Sequence, residues 1–167
     1  SPSETGIVIS AVPYQLSTRF KLRLLPSRVG ITFSSEDNAI IDNESPFSSY
    51  TVISSNTANR FGGVCVYTNS SLVAKNVLFD GNTSTHNASA IGTVSANNVQ
   101  LINCTFVNNV GGDCWGRAVY AETPITIINS ISNNNSPGDY CGNPGAISVY
   151  YSRSSEDFYI HGTTIQS

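Results

Sequence analysis

The stretches KNVLFDGN (75–82), INCTFVNN (102–109) and INSISNNN (128–135) are three copies of one octet. Their first asparagines are Asn76, Asn103 and Asn129, and their closing ones are Asn82, Asn109 and Asn135. The two columns step together: 76 to 103 matches 82 to 109, and 103 to 129 matches 109 to 135. Phe79 and Phe106 hold the middle of the first two copies, and Ser132 holds it in the third. A weaker fourth copy is IHGTTIQS (160–167), with Gly162 for the first Asn and Ile165 for the Phe.

A second pattern interleaves with the first. GGVCVYT starts at Gly62, SAIGTVS at Ser89 and GAISVYY at Gly145, and Gly116 opens a fourth run that continues as RAVYAE. Each is a small residue followed by an apolar run. Aligning Gly63, Ser89, Arg117 and Gly145 gives a period of about 26–28 residues. Each period thus carries two short alternating strands and the turns between them. A unit this small cannot bury its own apolar face and must stack on its neighbours, which makes a solenoid. Parallel strands need a long crossover, and one coil of a β-helix supplies it without an α-helix. Stacked coils place equivalent residues about 4.8 Å apart. Asn76, Asn103 and Asn129, and likewise Asn82, Asn109 and Asn135, are then expected to form inward amide ladders, with Phe79 stacked on Phe106. A β-sandwich also uses short strands, but it gives no ladders at constant period.

The fold class expected is therefore all-β, a right-handed parallel β-helix (solenoid) with coils of about 26–28 residues. Residues 1–167 read as one domain. Residues 59–167 are the regular repeats, and 1–58 are irregular N-terminal coils or a cap, with GIVISAVPYQL, FKLRLLP, VGITFSS and NAIIDN as successive strands.

Composition fits. Ser, Thr and Asn together supply 57 of 167 residues, while charged residues are only 11% and Met is absent. Such side chains bond to nearby backbone and compete with helix. The net charge of −3 comes with no basic cluster, so no nucleic-acid partner is expected. No apolar run approaches the ~20 residues of a membrane span. The start at Ser1 without Met, the four Cys and the N-x-S/T triplets at Asn43, Asn69, Asn82, Asn87, Asn103 and Asn134 fit a secreted or cell-surface glycoprotein. Asn69 and Asn87, in polar loops, are the first candidates for glycans, followed by Asn43 and Asn134. Asn103 and Asn82, on the ladders, are expected to be bare or doubtful.

The small-apolar runs (GGVCVY, PGAISVY) followed by F-x-x-N (Phe79 to Asn82, Phe106 to Asn109) resemble polymorphic outer-membrane-protein repeats, of the pectin-lyase-like right-handed β-helix superfamily. The resemblance covers residues 59–167. SISN (130–133) lacks the Phe, and only GGVCVY keeps both glycines. It implies a fold far more than a function, because that superfamily holds lyases, hydrolases, adhesins and structural spikes. Its enzymes would gather carboxylates on one strand face. The four runs carry almost none, with Glu122 standing at an end.

No catalytic residue and no cofactor are therefore expected. Asp113 and Asp139, one period apart, are a weak cation pair, short of the six or more oxygens that Ca²⁺ takes. Cys114 and Cys141, one period apart in the same loop of neighbouring coils, are expected to form a disulfide, with Cys65 a buried thiol in a column with Ile91, Val119 and Ile147. Tyr67, Tyr120, Tyr150 and Tyr151 are placed near the ends of one strand column, where they could meet sugars or protein. The function expected is a non-catalytic structural or surface glycoprotein, a fibre or spike subunit assembling head-to-tail or binding surface glycans. The positive charges of Arg19, Lys21, Arg23 and Arg28, set against Glu156 and Asp157 near the final strand, suggest the head-to-tail contact. The alternatives are a polysaccharide lyase or hydrolase and a carbohydrate-binding adhesin module.

Overall fold

The computed structural model describes residues 7–9, 31–33, 38–41, 51–112, 117–155 and 164–166. The described residues form a parallel β-solenoid of about four turns, with strands and turns and no helix. Four sheets run along it. Sheet A stacks Ile7–Ile9, Ile31–Phe33, Val64–Val66, Ile91–Thr93, Val119–Ala121 and Tyr140–Gly142. Sheet B stacks Asn38–Ile41, Ser71–Lys75, Asn98–Ile102, Ile125–Ile128, Ile147–Tyr150 and Thr164–Gln166. Sheet C holds Thr51–Ser54, Val77–Asp80, Thr105–Val107, Ile131–Asn133 and Arg153–Ser154, and the narrow sheet D holds Thr57–Ala58, Thr83–Ser84 and Val110–Gly111. Every pairing is parallel, so each rung lies one coil from the next. The irregular N-terminal part shares these sheets: Ile31–Phe33 pairs with Val64–Val66, and Asn38–Ile41 with the strand at Ser71–Lys75.

The core follows from alternation within each strand. Leu72, Val99, Ile125 and Ile147 form one buried row of sheet B, and Ala74, Leu101, Ile127 and Val149 form the next. Val64, Ile91 and Val119 face them from sheet A. On sheet C, Ile53, Phe79 and Phe106 are one buried row, and the two Phe rings stack at 5.0 Å between centroids and 12° between planes, as expected.

Two expected registers are corrected. GAISVYY does not continue the column of GGVCVYT. Ile147 pairs with Ile125 in sheet B, and sheet A is carried on by Tyr140–Gly142, with Tyr140 against Val119 and Cys141 against Tyr120. Cys65 accordingly shares its row with Gly92, Tyr120 and Cys141, not with Ile91, Val119 and Ile147. Tyr120 therefore belongs to sheet A and Tyr67 follows the sheet A strand Val64–Val66, whereas Tyr150 ends a strand of sheet B and Tyr151 follows it. Likewise Ile165 pairs with Val149 in sheet B rather than following Phe106 in sheet C. The cause is a change of coil length. The coil from Val119 to Tyr140 is six residues shorter than the coil from Val64 to Ile91. Most of the difference comes out of the turn between sheets D and A, which takes eight residues from Thr83 to Ile91 and four from Ser136 to Tyr140. The rest comes out of the turn between sheets A and B, which takes eight from Ile91 to Val99 and six from Val119 to Ile125.

The same coil replaces the ladder Phe by Ser132 and places the larger Tyr140 where the earlier coils have valine or isoleucine. Both are buried. A small-for-large exchange is offset by a large-for-small one, which keeps the core filled.

Candidate functional site

The asparagines define the polar chemistry of the molecule, and they fall into two classes. Asn76, Asn103 and Asn129 stack in register as expected. Asn103 Nδ2 donates to Asn76 Oδ1 at 3.2 Å, and Asn129 Nδ2 donates to Asn103 Oδ1 at 2.7 Å. They do not point inward. They sit at the corner between sheets B and C with φ of 55°, 53° and 49°, and Asn103 and Asn129 are exposed. The corner needs a left-handed residue, and Asn is the residue other than Gly that adopts that conformation most readily. The reversal of the chain there turns the side chain out to solvent. The inward position belongs to the next residue, in the row Val77, Cys104 and Ser130, all buried. The inward placement on which the expectation for Asn103 rested is corrected. Its side chain faces solvent, and its amide is held by its neighbours on both sides.

The closing asparagines form the inward ladder. Asn56, Asn82 and Asn109 are at most 2% exposed, and Asn135 continues the column. Asn82 shows the pattern. Its Oδ1 accepts from Asn56 Nδ2 at 2.9 Å and from the Asn56 backbone N–H at 3.2 Å. Its Nδ2 donates to Asn109 Oδ1 at 3.0 Å and to the Ile53 carbonyl at 2.8 Å. All four hydrogen-bonding positions of the amide are thus filled. Asn109 repeats this with Asn135 and the Phe79 carbonyl. Asn56, the first rung, was legible as Ile53-x-x-Asn56, one period before Asn82, but lacks the Phe that marked the other copies.

Each rung donates one amide hydrogen to the rung C-terminal to it, so the last amide needs an acceptor. Asp139, fully buried, supplies one: its Oδ1 accepts from Asn135 Nδ2 at 2.7 Å. Its Oδ2 accepts from the hydroxyls of Ser154 and Ser155 and from the Ser155 N–H at 3.0 Å. Burial pushes its pKa up, but the bonds from Ser154, Asn135, Ser132 and Ser155 outweigh that and leave it below the ordinary carboxylate value. Of the suggested cation pair, Asp139 is thus turned into the protein as a ladder cap, and Asp113 lies outside the described residues. No group of three metal-ligating side chains occurs among the described residues. A third, exposed ladder runs the opposite way and also ends on a carboxylate: Asn134 Nδ2 donates to Asn108 Oδ1 at 2.7 Å, and Asn108 Nδ2 to Asp80 Oδ1 at 3.0 Å.

The acceptor triplets sort by the same bonds. Asn69 is exposed at a left-handed turn, φ 60°, and its side-chain amide bonds to nothing among the described residues. Asn87 is half-buried at φ 58°. Asn134 is exposed, with its amide held by Asn108. The Asn82 amide is enclosed in the core ladder, and Asn43 lies outside the described residues.

Cys65, Cys104 and Cys141 are buried, and no disulfide joins the described cysteines. Cys141 lies in a strand of sheet A rather than in the loop before it, and Cys114 lies outside the described residues. Burial raises the Cys65 thiol pKa, and it raises that of Cys104 to about 11, so both remain protonated at neutral pH.

A polar cleft of about 270 Å³ lies over sheet A, between Arg60, Phe61, Tyr67, Asn87, Tyr120 and Glu122. The Phe61 ring lies over Gly92, where a Cβ would come within 2.5 Å of it. Burial, then Glu122 and Cys141, raise the Tyr120 pKa and keep its hydroxyl protonated. No protein-family model matches the sequence, and no match appears among curated proteins or among solved structures.

Proposed function

We propose that this chain is a non-catalytic structural or surface module of the extracellular space, a β-helix rod that associates end to end. One observation carries the reading. The inward asparagines of the coils are committed to one another, in a buried ladder from Asn56 to Asp139 in which the Asn82 and Asn109 amides have every position filled. An arrangement that uses its polar groups to hold register supports a rod, because the rungs add stiffness along the stacking axis. Glycans would stand on Asn69 first and on Asn87 next. Open sheet edges at the ends of a solenoid favour further strands, and a head-to-tail contact that does not close makes a filament.

Negative-stain imaging and sizing of the secreted protein over a range of concentration test this. Filaments or concentration-dependent oligomers are expected, and a dilution- and salt-insensitive monomer overturns the association. The cleft over sheet A favours a second reading, a polysaccharide lyase or hydrolase, because it holds Glu122 beside Tyr67, Tyr120 and Arg60. Cleavage of any member of a polysaccharide panel, lost on Glu122→Gln, would establish that reading.

A further inference from the structure

The exposed ladder at the corner between sheets B and C breaks at its last rung. Ile128 pairs with Tyr150, so Tyr151 occupies the position next to Asn129 that asparagine fills in the three coils before it. Tyr151 adopts the same left-handed backbone, φ 49°, which strains a bulky side chain, and it is 75% exposed. An asparagine there would relax the backbone and donate to Asn129 Oδ1. Tyrosine does neither, so Asn129 Oδ1 accepts no bond among the described residues while its Nδ2 is held by Asn103. Beside it Ile131 is 51% exposed, and Arg153 is exposed with no ion pair among the described residues. Together these groups line a cleft of about 470 Å³ that holds one cation and no carboxylate among its described lining residues. That volume lies in the range of small-molecule sites.

We propose that this cleft binds a saccharide bearing an anionic group. The surface alternates apolar and polar in the way a pyranose does. Tyr151 and Ile131 offer a platform for the C–H face of the ring. Asn129 Oδ1 accepts from a ring hydroxyl, replacing the rung that Tyr151 removes. Arg153 meets the carboxylate of a uronate or the ester of a sulfated sugar. Strain at an exposed aromatic, where the repeat supplies an unstrained alternative, is retained for contact rather than for folding. The site lies on a different face from the cleft over sheet A and stands apart from end-to-end association.

Titration calorimetry with a uronate tetrasaccharide, a sulfated tetrasaccharide and a neutral tetrasaccharide tests the proposal. The wild-type chain is expected to bind one or both anionic probes and to bind the neutral one at least about tenfold more weakly. The anionic probe that binds identifies the group. Tyr151→Asn is expected to lose at least about tenfold in affinity. Its Tm should stay level or rise, because the ladder is completed and the backbone relaxed. Arg153→Gln, at an exposed position, is expected to lose about tenfold for the anionic probe alone. The proposal is overturned if no probe binds, if the neutral sugar binds equally well, or if both variants keep wild-type affinity.

Discussion

At the scale of single residues, asparagine does two different jobs with one side chain. At a corner it supplies a left-handed backbone and an exposed amide. Three residues after the buried aromatic it supplies an amide with all four positions filled inside the core. The same substitution should therefore cost very different amounts in the two columns. Asn109→Ala strips partners from the buried Asn82 amide, Asn135 Oδ1 and the Phe79 carbonyl. It should lower stability by about 3 kcal/mol or more in denaturant melts. Asn103→Gly keeps the left-handed backbone and loses only exposed bonds, so it should stay within about 1 kcal/mol. Asp139 adds a pH dependence. Its folded pKa lies below the unfolded one, so it stabilises the fold above the unfolded value and ceases to do so as pH falls through the folded one. Denaturant melts should show wild-type stability declining below about pH 4, within the carboxylate range. Asp139→Asn should be less stable at neutral pH and flatter across that window. A variant as acid-sensitive as the wild type would place the effect elsewhere.

At the scale of elements, the coil has constant arcs and variable ones. From sheet B to sheet C the chain takes six residues in each coil from Leu72 onward, as from Val99 to Thr105 and Ile125 to Ile131, and from C to D it takes five. These are the arcs that carry the asparagine ladders. A ladder demands equal steps, because one extra residue would move the amide off its column and leave both neighbours unpaired. The turn from D to A carries no such ladder, and it is chiefly there, at Pro137–Asp139, that the chain shortens. Close stacking also sets which residues fit. A Cβ on Gly63 would lie 2.2 Å from the Ala90 carbonyl oxygen, which belongs to backbone of the next coil and cannot yield. Gly63→Ala should therefore separate two coils of sheet A. Hydrogen exchange is expected to rise at Val64–Val66 and Ile91–Thr93, while the Asn82–Asn109 arc stays protected. Uniform protection would show that the stack absorbs the methyl.

For the whole molecule, the ladders give the stack a direction. The buried amides donate rung to rung toward the C-terminal coils and close on Asp139; the exposed Asn134–Asn108 pair donates the opposite way and closes on Asp80. A carboxylate accepts only, so each ladder ends where its carboxylate stands. The coils past Asp139 are held instead by serine hydroxyls, at Ser152, Ser154 and Ser155. If the rod extends by association of chains, contact must come from strand edges and not from continuation of the buried ladder. Raising ionic strength should then weaken the contact where opposite charges steer it and leave the coils intact. Sedimentation that shifts toward smaller species at high salt, with the circular dichroism unchanged, is the expected result.

What the sequence determined alone was the period, the parallel solenoid, the Phe79–Phe106 stack and the membership of both asparagine columns. Each of these is a statement that equivalent residues recur, and recurrence survives in one dimension. Which column faces inward was not legible, because Asn76 and Asn82 have the same side chain and differ only in backbone conformation. The left-handed corner that turns Asn76 outward appears only once the chain reverses between two sheets. The placement of GAISVYY was hidden for a related reason. Its small-apolar pattern suits a buried strand of either sheet A or sheet B, and the choice rested on shortened turns that only the stacked coils reveal. Asp139 as the end of a ladder, and the strained Tyr151 as its interruption on the other face, likewise depend on which residues stand above and below them. Those neighbours are distant along the chain and one coil away in space.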